Sequence, residues 1–211
     1  MFNKKTKYML TRFKTLLLLI VSASFLAVAC NNGDNANNKN DSTVSPTEKA
    51  ENKNDKLPDS LESDASYLVK VTNAGYKEIA ASRMALKKAT LKEVKSFANM
   101  MIADHTKMGA QVKELAKKKN IAVPDSLDHD VADKIRNNDK NGIEFDRDYM
   151  DQMVSDHKDA SDLFQKASNK SNDPDVKKLF TEGLPKIQHH LQEAQAVQDK
   201  AKNAKDDNKK Q

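Results

Sequence analysis

One cysteine, no tryptophan, five glycines and five prolines in 211 residues leave several protein classes without their raw material. A lone cysteine makes neither a disulfide framework nor a cysteine-rich zinc module. So few turn residues cannot punctuate the many short strands of a sandwich or barrel. Aromatic residues amount to 5%, and there is neither a glycine-rich phosphate loop nor a Gly-x-Ser-x-Gly elbow to suggest nucleotide or acyl chemistry. What is plentiful is Ala, Lys, Leu, Met, Asp and Glu, the usual stock of helical bundles. The length fits one domain of about 120 to 150 residues with appendages.

Lysine and arginine total 36 against 31 acidic residues, a net charge of +5. Lys4, Lys5, Lys7, Arg12 and Lys14 lie in the first thirty residues, which hold no acid, so the remainder balances at 36 − 5 = 31 basic against 31 acidic. The excess therefore gives no reason to expect a nucleic-acid partner. The basic start is followed by the apolar run Leu16 to Ala29 and then Cys30, the parts of a secretory signal too short to span a bilayer comfortably. Leu26-Ala27-Val28-Ala29-Cys30 resembles a bacterial lipobox, with Ala27 where that motif prefers Leu. The resemblance implies cleavage at 1–29, lipidation of Cys30 and a membrane partner held through acyl chains. Residues 30–58, rich in Asn, Asp, Lys, Ser and Thr, are expected to form a disordered tether reaching about 30 Å. The bundle is assigned to 59–202 and a second unstructured segment to 203–211.

From Leu61 to Ala201 apolar positions recur at intervals of three and four, the period of a helix. One seam reads Val94, Ala98, Met101, His105, Met108, Val112; another Met150, Met153, His157, Ala160, Phe164; the last Val176, Phe180, Gly183, Ile187, His190, Ala194. The first seam is ambiguous, with Leu68, Val71, Gly75, Glu78, Ser82 and Ala85 in one phase and Thr72, Ile79 and Leu86 in the other. Thr90 with Glu93 suggests a capping box, and Asp173-Pro174 a cap followed by an N1 proline. Short turns join the first pair and the last pair of helices, while about 25 residues with a short helix near 126–135 separate the pairs. Two antiparallel hairpins with a long crossover predict an all-α, ferritin-like four-helix bundle. A repeat of the pattern aromatic-x3-Met-[Ile/Val]-small-Asp-His is visible at Phe97 to His105 and Tyr149 to His157, an offset of 157 − 105 = 52.

Heptad phase puts His105, His157 and His190 on buried stripes, and in one phase Glu78 as well. Polar groups at one level of a core must bond one another, hold water or hold an ion. Two readings follow. Glu78, His105, His157 and His190 form either a metal-free network that fixes helix register, the reading preferred from the residues alone, or a site for copper, zinc or iron. Asp104 and Asp156 are candidate supports for a partner helix's imidazole, and Met101 and Met153 lie one turn before two of the histidines. The Glu-x-x-His pairs of di-iron bundles are missing, since Ile102, Val154 and Ile187 stand three before each histidine.

Gly75-x-x-Glu78, Phe97 to Thr106, Phe145-Asp146-x2-Tyr149-Met150 with Val154-x2-His157, and Leu184-Pro185-x4-His190-Leu191 together resemble domain of unknown function 4142, over about residues 65–198. That resemblance implies a bacterial ferritin-like bundle exported to the envelope, often as a lipoprotein, with no established activity. The expectation is a membrane-tethered envelope lipoprotein, at the outer rather than the inner membrane, non-enzymatic, with a structural or partner-binding role and protein partners unspecified. The alternative is a metal-binding or metal-oxidising bundle.

Overall fold

The computed structural model describes residues 44–205, all within one compact unit, and among them every regular element is helical. In chain order these are α1 (Pro46–Asn54), α2 (Asp59–Lys88), α3 (Lys92–Lys118), α4 (His129–Arg136), α5 (Gly142–Lys170) and α6 (Pro174–Asn203). The signal segment, Cys30 and residues 206–211 lie outside the described residues. None of the described helices is long and apolar enough to cross a membrane.

Each long helix buries the stripe its periodicity marks. On α3 this is Val94, Phe97, Ala98, Met101, His105, Met108 and Val112; on α6 it is Val176, Phe180, Ile187, His190, Ala194 and Val197. For α2 the structure selects the phase containing Leu68, Val71, Glu78, Ser82 and Ala85, while Ile79 and Leu86 are only half-buried.

The four long helices form a ring in which α2 touches α3 and α5, and α6 touches α3 and α5. Direction is fixed by two buried carboxylates. Asp64, near the start of α2, accepts from the backbone N–H groups of Asn172 (3.3 Å) and Asp173 (2.8 Å) in the turn before α6. Asp146, near the start of α5, accepts from Thr90 (3.0 Å) and Leu91 (2.7 Å) in the turn before α3. Each of α2 and α5 therefore begins where the other ends, and the two run antiparallel. The segment from α3 to α5 must then travel the length of the bundle. It does so over α2, held by the Tyr76 hydroxyl on the Asp125 carbonyl (2.6 Å) and by Lys88 on the carbonyls of Asn138 and Lys140.

These contacts revise the repeat. Equivalent features are separated by 146 − 64 = 82, 172 − 90 = 82 and, for the starts of α3 and α6, 174 − 92 = 82. Asp64-x2-Tyr67-Leu68 corresponds to Asp146-x2-Tyr149-Met150. The offset of 52 instead relates α3 to α5, which stand at opposite corners of the ring, so it marks two histidine-bearing helices rather than a duplicated hairpin.

Local signals fared unevenly. Asp173 caps α6 through the N–H groups of Asp175 (2.9 Å) and Val176 (3.2 Å), with Pro174 at the first turn. Asn120, at φ 55°, ends α3, and the N–H of Ile121 returns to the Ala116 carbonyl at 2.9 Å, closing the last turn as such left-handed residues do. The Thr90–Glu93 capping box does not form. Leu91 is the N-cap without a side-chain bond, because Asp146 already takes the Thr90 and Leu91 donors from across the bundle.

Part of the stretch expected to be a disordered tether, 30–58, is helical, while 30–43 lies outside the described residues. Pro46–Asn54 is helical, capped by Ser45 on the Glu48 N–H (3.1 Å). It is docked by reciprocal 2.8 Å bonds between the Asn54 amide and the Ala122 backbone, with Ala50 buried. Composition alone misses such a helix because its stability comes from docking rather than from its own apolar face.

The core has two apolar clusters. One gathers Ala85, Phe97, Met101, Met150, Met153, Ala194 and Val197; the other Leu68, Val71, Met108, Phe164, Phe180 and Ile187. On every long helix buried polar residues separate them: Thr72, Glu78 and Ser82 between Val71 and Ala85, His105 between Met101 and Met108, His157 between Met153 and Phe164, and His190 between Ile187 and Ala194.

Candidate metal centre

Helical spacing carries His105, His157 and His190 to one level because each lies on the inward stripe of its own helix, about midway along. Their ring centroids are 5.7, 5.3 and 5.5 Å apart, taken as 105–157, 105–190 and 157–190. Each ring offers one nitrogen to a cluster whose atoms all lie within 4.8 Å of one another. All three residues are buried, His157 and His190 completely.

Each ring has one nitrogen held and one free. His105 Nδ1 lies 3.0 Å from Glu78 Oε2, His157 Nδ1 lies 2.9 Å from the Met153 carbonyl, and His190 Nε2 lies 2.9 Å from Asp104 Oδ2. The Met153 carbonyl and the Asp104 carboxylate are acceptors, so His157 Nδ1 and His190 Nε2 carry the protons facing them; with Oε2 as the unprotonated oxygen of the Glu78 carboxyl, His105 Nδ1 does the same. That leaves lone pairs on His105 Nε2, His157 Nε2 and His190 Nδ1. These atoms are buried and have no hydrogen-bond partner among the protein's atoms. A buried polar atom without a partner costs about 1–3 kcal/mol, and three at one level are far from the norm for a native core.

Electrostatics keeps the rings neutral. Burial pushes the His105 imidazolium down to about 3 and that of His157 down to about 4, assisted by the neighbouring rings. His190 is likewise lowered by burial, against the opposing pull of Asp104. Glu78 is pushed up to about 8, by burial first and by the charge of Asp156 second. Burial alone would raise Asp104, but hydrogen bonds from His190 and Lys186 outweigh it and hold the carboxyl below its usual range. Three neutral imidazoles clustered at one level are what a first-row transition ion takes; hard ions such as magnesium want oxygen instead.

The other expected residues divide. Glu78 does not join the ligand cluster, since its oxygens face the Nδ1 side of His105 (3.0 Å) and of His157 (3.7 Å). Asp104 supports His190 across the α3–α6 contact, whereas Asp156 binds Lys77 and Gln152, each at 2.8 Å, and touches no histidine. Met101 and Met153 are fully buried members of the apolar cluster, and Met153 serves the site through its carbonyl. His129 and His189 are exposed. Lys186, 3.0 Å from Asp104, was not singled out from sequence, although it lies one turn before His190 on the same face.

The family model described as Domain of unknown function (DUF4142) matches residues 46–197, which span α1 to α5 and most of α6 and include all three histidines. Nothing among the curated proteins or the solved structures matches the chain.

Proposed function

For a chain that belongs to the DUF4142 family, whose description carries no activity, we propose a metal-binding role: a ferritin-like bundle that holds one transition-metal ion on His105, His157 and His190. The observation that carries this reading is the set of three buried ring nitrogens with no partner, each on a ring whose other nitrogen is anchored to an acceptor. Histidine ligands of metal sites are anchored in the same way, through the nitrogen that does not bind the ion. Zinc and copper suit such a donor set, and iron to a lesser degree. Ring order, antiparallel neighbours and a crossover running the length of the bundle support the ferritin-like arrangement.

The residues before the described ones support an address. A basic n-region, an apolar run and Cys30 in lipobox context favour export and anchoring by acyl chains at the envelope, the outer membrane being the preferred site. Purified protein exposed in turn to copper, zinc and iron should retain one equivalent through gel filtration, and the double variant His105→Ala/His157→Ala should retain none. A wild-type protein that keeps no metal would leave only the metal-free network and a structural envelope role. Cys30→Ala should move the protein from the membrane to the soluble envelope fraction; continued membrane association would refute the anchor.

A further inference from the structure

Three openings flank the polar level. The cavity between α2 and α5 and the groove between α2 and α3 are both lined by Gly75 and His105, and they meet that ring on its Nδ1 side, where a Cβ at Gly75 would stand 3.9 Å away. A third, between α3 and α6, reaches Asp104 and Lys186. None of the three is lined by His157 or His190, so the donor set sits behind their walls.

The surroundings of the donors add no charge to offset an ion. Along the inward stripes the neighbours of the histidines are Met101, Met108, Met153, Ile187 and Ala194, all members of the apolar clusters. Asp104 is tied to Lys186 at 3.0 Å and Asp156 to Lys77 at 2.8 Å. The oxygens of Glu78 face the Nδ1 atoms of His105 and His157 instead of their free nitrogens. Among the described residues no fourth donor is grouped with the three nitrogens.

Such a site discriminates by charge. Neutral imidazoles subtract nothing from the ion, and the cost of holding a charge in an apolar interior rises with its square, so a dication carries about four times the burden of a monocation. Zinc also takes a fourth donor almost without exception. Among the ions that imidazole suits, copper alone has a monovalent form, and that form is content with three ligands. Resting on the metal reading above, we infer that the ion held by His105, His157 and His190 is monovalent copper, bound by three nitrogens alone. Lys186 sustains that choice, because its ammonium keeps the Asp104 carboxylate from offsetting a second positive charge.

Metal-free protein loaded with monovalent copper, under ascorbate and without oxygen, and then challenged with excess zinc tests this. Metal retention is read first, by stoichiometry after gel filtration; a protein that keeps neither ion overturns the metal reading and this inference together. Copper should stay bound against zinc, and its X-ray absorption spectrum should show the edge of the monovalent ion with three nitrogen neighbours. Displacement of copper by zinc, or a fourth neighbour in the spectrum, would overturn the inference and leave the metal reading standing. Lys186→Met replaces a side chain that is 45% exposed and should raise zinc affinity relative to copper by about three- to tenfold. A ratio that does not move would overturn the charge argument on which the choice of ion rests. Should Lys186→Met fail to fold, Lys186→Gln is judged by the same ratio.

Discussion

Alanine is the best helix former and glycine among the worst, so Gly183→Ala in the middle of α6 ought to add about 1 kcal/mol of stability on propensity alone. The structure reverses the sign. A Cβ at Gly183 would lie 2.6 Å from Cε1 and 3.3 Å from Cδ1 of Phe164 on α5. That ring is 2% exposed and packs edge-on against Phe180 at 4.9 Å, so it cannot swing aside and α6 must move instead. Overpacking of this kind costs about 1–3 kcal/mol. With the ring confined, the upper half of that range applies, leaving a net loss of about 1–2 kcal/mol. At about 2–4 °C per kcal/mol for a domain of this size, the midpoint should fall by about 2–8 °C. Gly109→Ala on α3 is the internal control, because nothing lies within 4 Å of its Cβ and the propensity gain should appear undiminished. Thermal and urea unfolding of the two variants, monitored by circular dichroism, should shift in opposite directions. If Gly183→Ala is as stable as wild type or more so, then α5 and α6 do not meet as closely as described. The centre would feel the same displacement, since His190 sits two turns along α6 from Gly183.

Metal-free protein should be most stable near neutral pH. His105 and His157, lowered by burial to about 3 and about 4, lose their contribution as pH falls from about 6.5 toward those values, and His190, lowered likewise, acts in the same sense, because the unfolded chain takes up protons that the folded core refuses. Glu78, raised from 4.5 to about 8, acts in the opposite sense and loses its contribution progressively as pH rises from about 4.5 to about 8. Urea midpoints in chelator should therefore fall below about pH 6.5, where three histidines outweigh one carboxyl, and fall again toward pH 8, with Glu78→Gln removing the second decline and steepening the first; a midpoint that climbs steadily toward acid would contradict the neutral-imidazole core. Asp104→Asn, which weakens the acceptor holding His190 Nε2, should cost about 10- to 100-fold in metal affinity by titration calorimetry, and an unchanged affinity would show that His190 needs no such anchor. Asp64→Ala and Asp146→Ala should each cost about 1–2 kcal/mol by removing the buried acceptor of two part-buried N–H donors. Because they act at opposite ends of the bundle, their double variant should be additive within about 0.5 kcal/mol, and strong coupling between them would mean that the ends are not independent.

His105, His157 and His190 were legible in the sequence because a helical period fixes which side of each helix they occupy, and all three fall on inward stripes. Glu78 was legible only in part. Its helix offers two apolar phases, and the choice between them depends on what α3 and α5 present to it. The proton positions were not legible at all, since Asp104, Glu78 and the Met153 carbonyl reach the rings across or along helices at distances that no spacing rule conveys. Asp156 shows the converse failure. It stands next to His157 in sequence exactly as Asp104 stands next to His105, yet it faces Lys77 and so supports no ring. The missed α1 and the unformed capping box share one cause, a distant partner: Ala122 and Asp128 for the helix, Asp146 for the turn. The family resemblance, by contrast, rested on local motifs and holds over 46–197.

The polar level also divides the bundle mechanically. Above and below it stand two apolar compartments, each with its own aromatic lock: Phe97 against Tyr149 at 6.3 Å in one, Tyr67 and Phe164 against Phe180 at 6.0 and 4.9 Å in the other. Compartments joined only by backbone and a thin polar floor can open one at a time, as neighbouring cooperative units do. On the proposed metal reading, an ion gripping α3, α5 and α6 at that floor would act as a rivet. It would tie the two compartments into a single unfolding event, and binding would register first as a change in how far a local opening spreads.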